Sequence, residues 1–283
     1  MLQDQEESID CPYKDLYIYY LQGRLKPDIK LFDDNFIGNW QEDESTFLFF
    51  SKPSRGEVEK MLSARPYLTL LDEFHMTYDQ WQGGKIVPTR IGRFCIAPPW
   101  QRPRKNMQSC REELLIVLDP GVVFGTGAHT TTHDCLEALE LVFCRERVES
   151  VLDLGTGTGL LALAAFRLGC RSILAVDLNF LAAKTAARNV QLNRLEDNVL
   201  VVQGRAEDFI DASSDLVIAN IHYDVMKHLI NSQGFLCKKW FILSGLLRSQ
   251  ASDLLIRLSQ QPVQILKKWE RDGIWHTFFG EIC

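Results

Sequence analysis

Hydrophobic positions follow two different patterns along the chain. In the first part, aromatic and β-branched runs at 16–20 and 46–50 are typical of strands, and apolar residues recur at helical spacing over 54–62. A serine followed three residues later by a glutamate begins this helical segment, which is typical of a capped helix start. We therefore predict a small α+β domain over residues 1–78.

From residue 148 onward, short apolar runs alternate with helical segments. The predicted strands lie at 151–154, 172–176, 199–202, 216–219 and 241–243, and the predicted helices at 160–168, 180–192, 225–230 and 246–258. Such alternation is typical of parallel strands joined by crossover helices. The last two strands, 263–269 and 274–279, are separated only by a short turn, so we predict that they form an antiparallel hairpin. The pattern predicts a doubly wound, mostly parallel, seven-stranded α/β sheet in a domain over residues 119–283.

The residues between these two patterns are basic and rich in proline. Residues 85–111 contain seven lysines and arginines and no acidic residue, whereas residues 1–44 contain eleven acidic and four basic residues. Four prolines in the basic stretch disfavour a helix, so we predict an extended connector over residues 79–118. Its charge suits either a solvated linker, partly neutralised by the acidic segment, or a docking surface for an acidic protein or RNA.

Composition argues against several classes of protein. The 283 residues are 46% hydrophobic and 24% charged, and no apolar run is long enough to span a bilayer. The acidic, polar start of the chain is unlike a secretory signal peptide. Eight cysteines without a Cys-x-x-Cys pair favour reduced thiols, and His129 and His133 have no evident third partner for a metal. We therefore expect a cytoplasmic protein with no membrane association and no metal.

A glycine-rich loop follows the first strand of the α/β pattern. The segment Asp153-Leu154-Gly155-Thr156-Gly157-Thr158-Gly159 precedes a predicted helix, and Asp177 ends the second strand twenty-two residues after Gly155. Glycines at such a turn let the backbone approach a ligand closely, and an acid at this distance is placed to accept hydrogen bonds from ribose hydroxyls. The combination predicts a site for a nucleotide-like ligand at the carboxyl edge of the sheet.

The spacing and charge of this loop discriminate between ligands. Dinucleotide sites use Gly-x-Gly-x-x-Gly, whereas this loop is Gly-x-Gly-x-Gly, and Asp153 directly before it would repel a pyrophosphate. S-adenosyl-L-methionine, which is cationic and lacks phosphate, fits better, and the run resembles the first motif of class I, Rossmann-like methyltransferases. A nicotinamide enzyme and a degenerate fold without activity are the alternatives.

The segment before the first strand narrows the resemblance. Residues 118–132 read Leu-Asp-Pro-Gly-Val-Val-Phe-Gly-Thr-Gly-Ala-His-Thr-Thr-Thr and are similar to the signature of the PrmA family, the methyltransferases of ribosomal protein L11. The similarity continues through residues 215–221 and 244–247 and reaches back to Trp81. It is specific over about residues 79–283, and before them it is topological only.

The resemblance implies a role for each matching residue. Asn220, at the end of the fourth strand, would lie next to the transferring methyl group and act in catalysis. Phe124 and His129 belong to the loop that, in the family, folds over the methionine end of the cofactor. Glu207, which follows the third strand, is either a contact to the adenine of the cofactor or an ordinary acid at a helix start. The residues expected at the cofactor are Phe124, His129, Thr132, Asp153, Gly155, Gly157, Gly159, Asp177, Glu207 and Asn220.

One segment departs from the family pattern. The family has Asn-Ile-Leu-Ala after the fourth strand, whereas this chain has Asn220-Ile221-His222-Tyr223. His222 and Tyr223 either begin a helix or line the entrance for the methyl acceptor. The resemblance implies a protein N-methyltransferase whose partner is a ribosomal protein, recognised by the N-terminal domain. A methyltransferase of RNA or of a small molecule, and a cofactor-binding module without turnover, are the alternatives.

Overall fold

The structure, a computed structural model, describes residues 11–25, 34–102 and 113–283. Residues 1–10 and 26–33 of the acidic segment, and residues 103–111 of the basic stretch, lie outside the described residues. The chain divides into two compact units, Met1–Val87 with Asn179–Leu181 and Pro88–Leu178 with Ala182–Cys283. Within the described ranges, no helix is long and apolar enough to cross a membrane.

The first unit is built on a four-stranded antiparallel sheet. Its strands are β1 (Asp15–Gln22), β2 (Phe36–Glu42), β3 (Ser45–Phe50) and β4 (Thr69–Thr77), in the spatial order β2-β3-β1-β4, and its helices are α1 (Arg55–Ser63) and α2 (Tyr78–Trp81). Apolar side chains of β1 and β3 pack with Val58 and Met61 of α1 to form the core of this unit. The two strands and the helix expected from the apolar pattern are all present as β1, β3 and α1. The helix covers the apolar face of the sheet, which would otherwise be exposed to water.

The start of α1 differs from the expected capping box. Ser54 occupies the N-cap position, but its hydroxyl donates to the Lys52 carbonyl at 3.1 Å and makes no capping bond. The backbone N–H of Ser54 donates to the hydroxyl of the buried Tyr19 at 2.9 Å. The side chain of Ser54 is therefore hydrogen-bonded to the preceding loop. Only the backbone carbonyl of Ser54 accepts hydrogen bonds from the first turn of the helix, from the N–H groups of Glu57 and Val58.

Part of the expected connector has regular structure. Strands β5 (Thr89–Ile91), β6 (Phe94–Ala97) and β7 (Leu114–Val117) form a small sheet in that order, with β5 antiparallel and β7 parallel to β6, and a 3-10 turn spans Pro99–Gln101. Ile91, Phe94 and Ile116 are buried in the core of the second unit, which explains why the division falls after Val87. Some of the basic charge is neutralised locally, since Arg90 pairs with Glu113 at 3.3 Å.

The second unit contains a seven-stranded, mostly parallel sheet. Its strands are β8 (Ser150–Leu154), β9 (Ser172–Asp177), β10 (Val199–Gln203), β11 (Leu216–Asn220), β12 (Trp240–Leu247), β13 (Val263–Arg271) and β14 (Trp275–Ile282). Its helices are α3 (Thr130–Arg145), α4 (Leu160–Leu168), α5 (Phe180–Leu192), α6 (Ala206–Phe209), α7 (Tyr223–Leu229), α8 (Gln233–Leu236) and α9 (Arg248–Leu258). The spatial order is β10-β9-β8-β11-β12-β14-β13, and β14 alone runs against its neighbours. This order confirms the predicted doubly wound, Rossmann-like sheet.

Helices bury both faces of this sheet. In β11, Leu216 and Ile218 belong to a core cluster shared with α3 and α4, whereas Val217 and Ala219 belong to a cluster shared with α7 and α9. Side chains alternate between the two faces of a strand, so a strand buried on both faces must be apolar throughout. That requirement makes the central strands visible as continuous apolar runs in the sequence.

The closing hairpin turns at two residues with positive φ. Asp272 has φ 55° and Gly273 has φ 66°, and the Ile274 N–H donates to the Arg271 carbonyl at 3.0 Å. Two successive residues of this kind form a tight turn whose twist matches antiparallel strands. The predicted hairpin is confirmed.

The boundary between β12 and α9 is later than the apolar pattern predicts. A helix was expected from residue 246, but Leu246 and Leu247 pair with His276 and Trp275 of β14. Backbone pairing with β14 extends β12 to Leu247, so α9 begins only at Arg248.

Candidate functional site

The glycine-rich loop (residues 155–159, the glycine loop) turns sharply at the carboxyl end of β8. Gly155, Gly157 and Gly159 have φ values of 70°, 56° and 84°, a region that other residues rarely adopt. A Cβ atom at Gly157 would lie 2.5 Å from the Phe124 carbonyl oxygen, and one at Gly155 would lie 2.1 Å from a methyl carbon of Ile221. Conformation and space therefore both require glycine at these two positions.

Asp177 is joined to the glycine loop by a hydrogen bond. Its Oδ2 accepts from the Gly157 backbone N–H at 2.9 Å, and it ends β9, the neighbour of β8. The structure thus brings the expected ribose acid to the carboxyl edge of the sheet, where open α/β folds bind ligands. A partly exposed carboxylate at this edge is a strong, charge-assisted acceptor for hydroxyl groups.

Asp153 lies beneath the glycine loop rather than in the open crevice. It is 1% exposed, and its Oδ2 accepts from the Thr156 hydroxyl at 2.6 Å. Burial raises the pKa of Asp153 to about 7, while the Thr156 bond opposes this shift and the charge of Asp177 adds to it. A nearby cation would favour the ionised carboxylate. Asp153 therefore suits a cationic ligand through its charge and not through an exposed contact.

Hydrogen bonds join the end of β11 to the start of α3. The Asn220 Nδ2 donates to the Thr131 hydroxyl oxygen at 3.4 Å, and that hydroxyl lies 2.7 Å from His129 Nδ1. The Thr131 backbone N–H also donates to His129 Nδ1 at 3.3 Å, so the histidine caps α3 with its side chain. Sequence reasoning missed Thr131, because no local signal distinguishes it from the threonines on either side.

The directions of these bonds place the protons. Because the Thr131 backbone N–H donates to His129 Nδ1, that nitrogen is an acceptor and the neutral imidazole carries its proton on Nε2. The Thr131 hydroxyl then donates to Nδ1 and accepts from Asn220. Burial and the neighbouring His133 lower the pKa of His129, which favours this neutral form. Asn220 is left with Oδ1 as an acceptor beside Gly245, where a Cβ would lie 2.9 Å from that oxygen.

Thr132 presents a buried hydroxyl at the same helix start. It is 2% exposed, and its Oγ1 has no hydrogen-bond partner within the described part of the chain. An unpaired buried polar group costs about 1–3 kcal/mol, so a ligand that pairs with it is favoured. The first N–H groups of a helix also lack intrahelical partners and attract negative charge. The start of α3 therefore suits a ligand carboxylate.

Three aromatic rings form one wall beside the start of α3. The Phe124 and His129 rings meet edge to face with centroids 5.5 Å apart, and His129 meets Trp275 in the same way at 4.9 Å. Phe124 is 52% exposed. Sequence reasoning missed Trp275, because nothing in the local pattern shows that the closing hairpin passes the start of α3.

A third residue that sequence reasoning missed is Asn189 of α5. Fully buried, it exchanges two hydrogen bonds with the backbone of Asp119 and donates a third to the Thr158 carbonyl at 2.8 Å. It therefore connects the glycine loop to residues 119–129, which precede α3 and are called the α3 loop below. The available signal was a polar residue three positions after the buried Ala186 on the apolar face of a helix.

In the described ranges, no hydrogen bond or ion pair joins Glu207 to the other expected site residues. Its carboxylate pairs with Arg205 at 3.0 Å at the start of α6. Burial raises the pKa of Glu207, but the Arg205 hydrogen bond and charge outweigh it and the net direction is downward. The adenine contact stays a prediction.

The segment after Asn220 begins a helix. His222 is the exposed N-cap residue of α7, and Tyr223 is its first residue. The Tyr223 hydroxyl donates to Asp253 of α9. This contact favours the helical interpretation of Tyr223, while the exposed His222 still suits an acceptor entrance.

His133 is hydrogen-bonded to the backbone of the α3 loop. Its Nε2 donates to the Gly127 carbonyl at 2.7 Å, so it supports the α3 loop. Across residues 11–25, 34–102 and 113–283, no three His, Cys, Asp or Glu side chains are grouped to hold a metal ion.

Known proteins resemble most of the second unit. Residues 76–281 match the family described as ribosomal protein L11 methyltransferase (PrmA). A ribosomal protein L11 methyltransferase of Desulfitobacterium hafniense is 39% identical over 192 residues, which are 66% of this chain and 58% of the relative. One from Clostridium perfringens is 32% identical over 203 residues, which are 69% of this chain and 61% of the relative. The chain spans about three-fifths of the length of these curated relatives.

A solved structure is similar over the same region. The crystal structure of a ribosomal protein L11 methylase from Lactobacillus delbrueckii subsp. bulgaricus aligns with a TM-score of 0.58 and 27% identity. The alignment covers 69% of this chain and 98% of that chain. Every expected site residue falls inside the family match at residues 76–281. This chain belongs to the ribosomal protein L11 methyltransferase (PrmA) family.

Proposed function

We propose that this chain is an S-adenosyl-L-methionine-dependent protein N-methyltransferase whose acceptor is an amine of ribosomal protein L11. Family membership supports both the reaction and the acceptor. The observation that carries the proposal is the geometry of Asn220. Its Nδ2 is committed to Thr131, and its Oδ1 is left as an acceptor one residue before Ile221, which packs against the glycine loop.

The residues at this edge of the sheet fit the chemical parts of S-adenosyl-L-methionine. Asp177 would accept hydrogen bonds from the ribose hydroxyls. The start of α3, with the unpaired hydroxyl of Thr132, would bind the carboxylate. The charge of Asp153 would favour the ammonium and sulfonium groups. When bound, the cofactor supplies an electrophilic methyl group on its sulfonium.

Asn220 would act by positioning the attacking amine. Its Oδ1 would accept a hydrogen bond from the amine N–H, which turns the nitrogen lone pair away from Asn220. An amide oxygen is not a base, so the amine must first lose its extra proton to solvent. A lysine amine has an ordinary pKa of about 10.4, and burial in the site would lower it. Alignment and exclusion of water would then supply most of the rate enhancement.

The aromatic wall of Phe124, His129 and Trp275 would limit the access of water to the reacting groups. The lowered pKa of His129 keeps the imidazole neutral. A neutral ring adds no positive charge beside a cationic cofactor, which would otherwise be repelled. The wall therefore combines an apolar surface with a compatible charge.

The first unit and the basic stretch would serve the acceptor. We place recognition of the substrate protein in the first unit and the site of action in the cytoplasm, where ribosomal proteins are assembled. The basic stretch at 85–111 is a candidate surface for an acidic protein segment or RNA, although Arg90 is already paired with Glu113.

A labelling experiment tests the proposal. The purified chain is incubated with S-adenosyl-L-methionine carrying a labelled methyl group and a ribosome-containing lysate, and the labelled species is identified by mass spectrometry. We expect label on amines of ribosomal protein L11, and an initial rate of labelling lowered by about 10²-fold with the Asn220→Ala variant. Nuclease-sensitive label would support the RNA alternative. Cofactor binding without transfer to any acceptor would support the binding-module alternative.

A further inference from the structure

We infer that Asn189 is a positioning residue that holds the α3 loop and the glycine loop in the single arrangement that binds cofactor. This inference rests on the proposed function, since it assigns the cofactor to these loops. Asn189 lies on α5, behind both loops, and is fully buried. It would therefore act on cofactor affinity without touching the cofactor.

The side chain of Asn189 uses both its acceptor and its two donors. Its Oδ1 accepts from the Asp119 backbone N–H at 2.7 Å, and its Nδ2 donates to the Asp119 carbonyl at 2.9 Å. The second Nδ2 proton goes to the Thr158 carbonyl at 2.8 Å. Only a side-chain amide offers one acceptor and two donors in such a compact planar group. A carboxylate of the same shape has no donor, and an apolar side chain has neither.

Thr158 provides the second connection between the loops. Its backbone N–H donates to the Phe124 carbonyl at 3.1 Å, and its hydroxyl donates to the Gly125 carbonyl at 2.5 Å. Thr158 is fully buried, and all three of its polar groups are used, because its carbonyl is bound by Asn189. The α3 loop is thus attached to the glycine loop near its start through Asn189 and in its middle through Thr158.

These attachments link the two halves of the proposed cofactor site. Gly157, in the glycine loop, donates to Asp177 on the ribose side, whereas Phe124 and His129, in the α3 loop, form the wall on the other side. If the loops separate, only a fraction of molecules has both halves in place. The apparent affinity for a ligand falls in proportion to that fraction.

Asn193, the residue directly after α5, offers a matched control. Its Oδ1 accepts from the Val117 N–H at 3.1 Å and its Nδ2 donates to the Val117 carbonyl at 2.6 Å, so it binds a backbone in the same way as Asn189. In the described structure its side-chain hydrogen bonds go to Val117, to Arg167 and to the backbone carbonyl of Asn189 at 2.8 Å, and none reaches the glycine loop or the side chain of Asn189. Changing either asparagine to aspartate replaces a side-chain amide by a carboxyl group. Only the change at Asn189 removes hydrogen bonds that connect the α3 loop to the glycine loop.

The experiment compares Asn189→Asp, Asn193→Asp and the unmodified full chain. Binding of S-adenosylhomocysteine is measured by calorimetry at about pH 6 and about pH 8, and hydrogen exchange is followed in residues 119–129 and 155–159. We expect Asn189→Asp to weaken binding by about tenfold or more at the higher pH and to accelerate exchange in both loops together. A protonated aspartate regains one hydrogen-bond donor. The affinity of Asn189→Asp for S-adenosylhomocysteine should therefore be closer to that of the unmodified chain at the lower pH. Asn193→Asp is expected to bind within about threefold of the unmodified chain.

The outcomes separate this inference from the proposed function. If the unmodified chain does not bind S-adenosylhomocysteine, the proposed function fails. If the unmodified chain binds and Asn189→Asp binds equally well, or if both aspartate variants weaken binding equally, the positioning role of Asn189 is wrong. Should Asn189→Asp not fold, Thr158→Val removes the hydroxyl bond to Gly125 at nearly constant size. We then expect weaker binding with faster exchange in the α3 loop, and unchanged values in both measurements would overturn the inference.

Discussion

The backbone N–H of Gly157 donates to Oδ2 of Asp177 across 2.9 Å, which ties the glycine loop to the end of β9. The two residues are 20 positions apart and meet because β8 and β9 are parallel neighbours. Asp177 therefore shapes the glycine loop and also presents a carboxylate to the crevice at the sheet edge. A substitution of Asp177 that keeps the hydrogen bond to Gly157 but removes the carboxylate charge tests the two roles separately.

Replacing Asp177 tests the ribose contact. We expect Asp177→Ala to weaken S-adenosyl-L-methionine binding by about 1–3 kcal/mol, because charge-assisted hydrogen bonds to the ribose are lost. Asp177→Asn keeps an oxygen that can accept from Gly157 but lacks the charge, so it should lose less. Calorimetry on both folded variants measures the difference. An affinity equal to that of the unmodified chain would remove Asp177 from the site.

Replacing Asn220 tests catalysis apart from binding. We expect Asn220→Ala to lower turnover by about 10²-fold, because the attacking amine loses its positioning contact. Cofactor affinity should fall less, since Asp177 and the start of α3 are unchanged. Steady-state kinetics with saturating cofactor and a melting curve measure the two effects. A large loss of stability would point to a structural role in holding Thr131, and near-normal turnover would contradict a catalytic one.

Adding a methyl group at Gly157 tests the close approach of the two loops. In Gly157→Ala, the new Cβ would lie 2.5 Å from the Phe124 carbonyl oxygen at a φ of 56°, so the loops must separate. We expect a loss of cofactor binding of about tenfold or more with a lower melting temperature. Gly56→Ala is the matched control, because a Cβ at that helical position meets nothing within 4 Å. Similar binding by the two variants would show that the approach is not required.

The buried Asp153 predicts a specific pH dependence of stability. Burial raises its pKa to about 7, above the ordinary value of about 3.9, so the folded chain holds the proton more tightly than the unfolded chain. Its contribution to stability is therefore full below about pH 4 and is lost as the pH rises through about 7. Asp153→Asn is neutral throughout and still offers an oxygen to Thr156.

Melting temperatures from about pH 5 to about pH 8 check this prediction. We expect the unmodified chain to lose stability relative to Asp153→Asn as the pH rises. Melting curves that stay parallel across this range would contradict it. A cationic cofactor should reverse part of the loss, because it favours the ionised carboxylate.

Several features of this protein could be predicted from its sequence, because each depends on the conformation or burial of neighbouring residues. The glycines at 155, 157 and 159 are visible because a turn with positive φ admits few other residues, and Asp177 follows at a distance set by one helix and one strand. The central strands are visible because burial on both faces demands continuous apolar runs. The hairpin is visible because a short Asp-Gly turn leaves no room for a crossover.

Other features depend on contacts between distant residues, and no local pattern encodes them. Strand β12 continues past the predicted helix start because β14 returns beside it, and the expected connector contains strands because the second unit buries its apolar residues. Asn189 meets Asp119 across 70 positions, and Trp275 meets His129 only because the last hairpin packs beside α3. The sequence alone determined the sheet, the glycine loop and the acids at its edge, since each follows from conformational or burial limits on single residues. Tertiary packing decided which polar side chains connect the loops, because a hydrogen bond between them exists only after the elements carrying both partners have come together.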